Sequence, residues 1–173
     1  VAHGTNGVHA LTFDGTNLNL IDTFNTPDSA NDVWGDGTHI YVADGTSGVR
    51  AYTFDGINFV EVGLYNTPGI ANGVWGDGTH IYVADDTSGI RAYTFDGTTF
   101  TEVNVYNTSG LAASSWGDGT YIYVADGTGG VKAYSGFGCL KTLEEKSDQL
   151  IHWQNSSETE VIQTASDATS DDH

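Results

Sequence analysis

Tyr65–Phe95 reads YNTPGIANGVWGDGTHIYVADDTSGIRAYTF, and its punctuation decides the fold. Residues 70–76 form an apolar run that stops at Asp77-Gly78. His80–Ala84 carries the β-formers Ile81, Tyr82 and Val83, and the loop Asp85–Gly89 follows. Ile90–Phe95 is a third run, closed by Asp96-Gly97, and Phe100–Tyr106 is a fourth, with Asn107–Gly110 as the onward connection. Asp-Gly between β-rich runs signals a hairpin, because Gly accepts a positive φ and Asp tolerates one. The stretch therefore predicts four short antiparallel strands in sequence order.

Working outward, the same pattern recurs. Residues 30–70 and 71–111 align without gaps at a period of 41, with 31 identical positions. A third copy begins at Ala112 and fades after Ser135, and a truncated copy fills 1–29, entering at the equivalent of Val42. Trp34, Trp75 and Trp116 stand in register, as do Phe13, Phe54 and Phe95. A repeat of this length points to a solenoid, a propeller or an array. Helical repeats would need a 3.6-residue periodicity, which is absent, and a parallel β-helix has a shorter coil. Four antiparallel strands per unit is the size of a propeller blade.

The expected fold is thus all-β, a β-propeller arc of about three and a half four-stranded blades. Residues 1–29 supply a partial blade with its second, third and fourth strands. Residues 30–70 and 71–111 are full repeats, and 112–135 supply the first three strands of another. The two remnants overlap, and the count falls below the usual minimum of about four blades. Open blade faces and unpaired strand edges invite association. The expectation is an arc of a larger propeller, or one completed by further copies of the chain.

The string 65–95 resembles the LVIVD-type propeller repeat of bacterial and archaeal surface proteins. Tyr65–Ala71 matches its Y-x-T-P-G-x-A tract and Tyr82–Asp85 its Y-V-A-D, followed by a Gly-apolar start to the third strand. The resemblance covers residues 1–135, and its motifs are structural rather than catalytic. Ile90-Arg91-Ala92-Tyr93 departs from it, standing where the family has a more aliphatic run. It implies a propeller and a place at the cell surface.

Composition bounds the rest. The chain has 173 residues, five Lys/Arg against 23 Asp/Glu and a net charge of −18, split as −12 over residues 1–135 and −6 over 136–173. Nucleic acid and anionic membrane surfaces both demand basic footprints, so neither is an expected partner. No apolar run reaches spanning length, so no membrane insertion is expected. Cys139 is the lone cysteine and makes no internal disulfide framework. The chain opens on Val1 rather than Met, which raises the expectation of a processed or partial chain. Beyond Ser135 the Gly/aromatic rhythm stops. Leu140, Leu143, Leu150, Ile151 and Trp153 suggest a short amphipathic helix over 140–153, and the Ser/Thr/Asp/Glu-rich end reads as disordered.

Repeat symmetry nominates the candidate sites. His9, Arg50, Arg91 and Lys132 share one position in the third strand. Facing a common channel they would suit an anionic ligand; otherwise they pair with carboxylates of neighbouring blades. Trp34, Trp75 and Trp116 either stack on sugar rings or pack between blades. Asp44, Asp85, Asp86 and Asp126 occupy the loops after the second strand. They are the calcium candidates, with Asp85-Asp86 foremost, against a reading as plain turn residues. No cofactor other than calcium is implied. His39 and His80 are equivalent, but the third copy has Tyr121, and a zinc site is not expected. Asn107-Thr108-Ser109 and Asn155-Ser156-Ser157 are glycosylation sequons, relevant only in a glycosylating host.

Catalysis has little support, since no Gly-x-Ser-x-Gly elbow, phosphate loop or His-Glu-x-x-His string is present. Near-identical repeats also give carboxylates like environments, whereas acid/base pairs need unlike ones. The leading expectation is a non-enzymatic, extracellular or surface propeller module for adhesion, ligand binding or protein contact. Its partners would be a protein, a carbohydrate or another copy of itself. The alternatives are a fragment of a propeller enzyme whose active site lies in other blades, and a calcium-stabilised lectin-like module.

Overall fold

A computed structural model describes residues 1–135. The expected helix over 140–153 and the expected disordered end lie outside the described residues. The described chain is all-β, with thirteen strands in four antiparallel sheets. β1 (Val8–Phe13) and β2 (Leu18–Phe24) pair as a hairpin. β3 (Asp32–Gly35), β4 (Ile40–Ala43), β5 (Val49–Phe54) and β6 (Phe59–Tyr65) make a four-stranded meander. β7 (Gly73–Gly76), β8 (Ile81–Ala84), β9 (Ile90–Phe95) and β10 (Phe100–Tyr106) make the next. β11 (Ser114–Gly117), β12 (Tyr121–Ala125) and β13 (Val131–Ser135) form a three-stranded sheet.

Each turn is held by its aspartate's carboxylate. Asp77 Oδ1 accepts the backbone N–H groups of Thr79 and His80 at 2.8 and 2.7 Å, and its Oδ2 accepts the Tyr82 hydroxyl at 2.8 Å. The positive φ falls on Gly78, at 88°. Asp therefore acts as an acceptor that satisfies turn amides, not as a residue in the left-handed region. Asp86 is the exception, with φ 52° where the preceding repeat has Gly45 at 55°.

The cores lie between successive sheets rather than within them. Period-two alternation sends Ile81 and Val83 of β8 into a cluster with Tyr41, Ala43, Val49 and Phe100. It sends Tyr82 and Ala84 to the other side, against Ile122 and Val124. β8 is consequently buried along its whole length, which explains its unbroken apolar sequence. A third cluster joins Val8 to Val42, Tyr52 and Phe59.

Backbone seams tie each sheet to the next. Gly45 bridges to Ala71, Asp86 to Ala112, and Gly4 to Ala30. Asn31 and Asn72 donate side-chain N–H groups to the carbonyls of Ala71 and Ala112 at 3.0 and 3.2 Å. These seams shorten the first strand of the unit. It was expected from Ile70 but begins at Gly73, because Ala71 spends its backbone on the preceding sheet. In residues 1–7 the expected second strand is reduced to one bridge, Ala2 to Val8.

Candidate functional site

The third-strand cations are placed first by their partners. Arg50 on β5 is buried; its Nε donates to Asp44 Oδ2 at 3.0 Å and its Nη1 to Glu61 Oε2 on β6 at 2.8 Å. Tyr52 donates its hydroxyl to the same Glu61 oxygen at 3.2 Å. The next repeat copies the set: Arg91 Nε reaches Asp85 at 3.0 Å, Arg91 Nη1 reaches Glu102 at 2.6 Å, and Tyr93 reaches Glu102 at 3.2 Å. Each guanidinium is thus consumed by two carboxylates. The ion pairs join strands and a loop of one sheet, not the neighbouring blades that were expected. Burial, and then Glu61 or Glu102, holds the Tyr52 and Tyr93 phenols protonated far above their ordinary value.

The two outer copies carry other residues at this position. Lys132 is half-buried on β13. His9, on β1, packs its ring 4.5 Å from that of His3, and these two stand where the later repeats have Arg50 and Asp44.

The calcium candidates divide likewise. Asp44, Asp85 and Asp126 are fully buried. Burial pushes Asp44 and Asp85 above the ordinary carboxylate value, against the opposing pull of hydroxyl and N–H donors and of Arg50 or Arg91. Asp85 Oδ1 and Thr67 Oγ1 are both buried outside close hydrogen-bond geometry, yet the Thr67 hydroxyl still favours the charged form of Asp85. Asp126 accepts the Gly110 N–H at 3.0 Å and the Ser109 hydroxyl at 3.3 Å. Asp86 exchanges backbone hydrogen bonds with Ala112. Among the described residues, no three acidic, His or Cys side chains group as metal ligands.

Two of the three tryptophans pack between sheets. Trp34 stacks on Tyr41 at 5.6 Å and lies over Gly76 of the next sheet, where any Cβ would overlap its ring. Trp75 repeats this on Tyr82 and Gly117. Trp116 stacks on Tyr123 at 5.9 Å and is 58% exposed.

A cleft of about 300 Å³ opens between the sheets β3–β6 and β7–β10. Trp34, Tyr41 and Phe95 give it aromatic walls, and His39, His80 and Asp96 give it polar groups. The His39 ring stands edge-on to Phe95 at 5.2 Å and its Nδ1 lies 3.7 Å from Asp36. Burial opposes ionisation of Asp36, but the N–H groups of His39 and Thr38 and the Tyr41 hydroxyl hold its pKa below the ordinary value. Asp96 likewise serves its own turn, accepting from Thr98 and Thr99. The cleft offers ring faces with imidazole and hydroxyl edges, a chemistry for holding a small polar molecule. Sequence reasoning did not find it. His39 and Phe95 belong to different repeats and meet only once two sheets are stacked, so spacing along one unit carries no signal for it.

Against protein-family models and curated proteins, the chain finds no match.

Proposed function

We propose that this chain is a non-enzymatic β-propeller repeat module, its sheets serving as blades, that binds a carbohydrate-type ligand at the cell surface. The observation that carries the reading is the inter-sheet cleft walled by Trp34, Tyr41 and Phe95 and edged by His39 and His80. Aromatic faces with a few polar groups in a concave site suit a sugar ring. The pairing of both arginines with carboxylates argues against an anionic ligand at that position. The resemblance to LVIVD-type repeats supports the blade reading and the surface location.

A glycan array probed with the 173-residue chain tests this, followed by titration of the best saccharide. His39→Ala and His80→Ala leave the inter-sheet tryptophans in place. Each is expected to weaken saccharide binding about tenfold, the effect of losing one hydrogen bond to a ligand, with the native far-UV spectrum retained. Absence of binding to every glycan, or binding indifferent to both changes, would overturn the assignment.

A further inference from the structure

Two halves of one contact stand unused in the same molecule. Within the described chain, Trp34 covers Gly76 and Trp75 covers Gly117, and both glycines are buried. Gly35 holds the equivalent place in β3 but is exposed, and a Cβ there would meet only the His39 carbonyl oxygen, at 3.4 Å. Trp116 holds the equivalent place in β11 and is 58% exposed. One end of the described sheets therefore presents a tryptophan and the other an empty glycine seat. They are complementary because the intramolecular seams use the same pair twice.

We propose that the chain self-associates head to tail, Trp116 of one copy seating over Gly35 of another. This rests on the blade reading above. Such a contact is heterologous, so it runs on unless it closes. Each copy contributes three first strands, β3, β7 and β11. Two copies give six, within the range of about four to eight blades that close a propeller, and three copies exceed it. The closed species is a dimer with two Trp116–Gly35 contacts. In it β11 and β12 of one copy stand beside β1 and β2 of the other. β13 and the partner's β1 claim one place in the repeat, and both carry Val-x-Ala, as Val131-Lys132-Ala133 and Val8-His9-Ala10. One gives way to the other in an exchange of like for like, which is a low-cost route to a dimer.

Sedimentation across a dilution series reads the outcome on the 173-residue chain. The wild type is expected at twice the 18.3 kDa chain mass. Gly35→Leu fills a seat that is open in the single chain, and Trp116→Ala removes the plug. Each is expected to halve the mass, and both should keep the wild-type far-UV spectrum. A monomeric wild type overturns the proposal. A dimer indifferent to both changes overturns it as well. X-ray scattering separates the two levels: a monomer whose curve still fits an arc of stacked sheets refutes docking alone, whereas a curve that fits no such arc refutes the blade reading with it.

Discussion

Arg91 sits between Asp85 and Glu102 with its side chain 12% exposed, and the Asp85 side chain is fully buried. Replacing it with Met keeps the bulk and removes the counter-charge. Taking one partner from a buried ion pair costs about 3–5 kcal/mol, because the other charge stays behind without water. Glu102 is 28% exposed and rehydrates readily, so the lower figure applies. Arg91→Met is expected to destabilise the fold by about 3 kcal/mol in urea unfolding. Arg91→Lys should recover only part, since a single ammonium does not span both carboxylates as Nε and Nη1 do. The symmetry of Arg50 and Arg91 was legible in the sequence as a sign of importance. What they touch was not, because Glu61 and Glu102 lie one strand further on and are reached only through hairpin register.

Among elements, the contrast between Gly76 and Gly35 isolates the packing of one sheet on the next. A methyl group on Gly76 would collide with the Trp34 ring, whereas on Gly35 it touches only the His39 carbonyl oxygen, at an ordinary 3.4 Å. Gly76→Ala is expected to cost about 1–3 kcal/mol by overpacking. With both changes made in the Trp116→Ala chain, where no partner ring covers Gly35, Gly35→Ala should stay within about 0.5 kcal/mol, as surface changes do. Thermal melts of the two variants make the comparison directly. The third and fourth strands of the unit were readable to the residue, β9 and β10 beginning and ending where the Gly and Asp-Gly punctuation places them. The first strand was not, because the diversion of Ala71 to Gly45 is a tertiary event. The Asp-Gly turns were recognised by composition, but their mechanism is an acceptor carboxylate rather than a tolerant backbone.

For the whole molecule, the same turn chemistry sets the response to acid. Asp14 is lowered to about 2 by the N–H groups of Asn17 and Thr16, and Asp28, Asp36, Asp55, Asp77, Asp96 and Asp118 are also held below the ordinary 3.8. A carboxyl lowered on folding adds stability above pH 3.8, and that stability is lost as pH falls through its folded value. Asp44 and Asp85 are raised and act oppositely, the folded chain taking their protons first as pH falls toward 3.8. Among the described residues the lowered carboxyls outnumber the raised ones, seven to two. The urea midpoint is expected to fall steeply between pH 4 and pH 2, and a flat profile there would contradict the turn assignments. The acidity of residues 1–135 is therefore largely structural, with carboxylates spent on the chain's own amides.

The order of the sheets also governs how the chain would yield to force. Each sheet is continuous in sequence, and each is held to its neighbours by seams of nearly the same composition. A pull on the two ends would find no single keystone whose failure releases everything. The chain's two full repeats of 41 residues would each free on the order of 140 Å of slack at about 3.4 Å per residue. Single-molecule stretching is expected to show two equal steps of that length, and one cooperative release would contradict it.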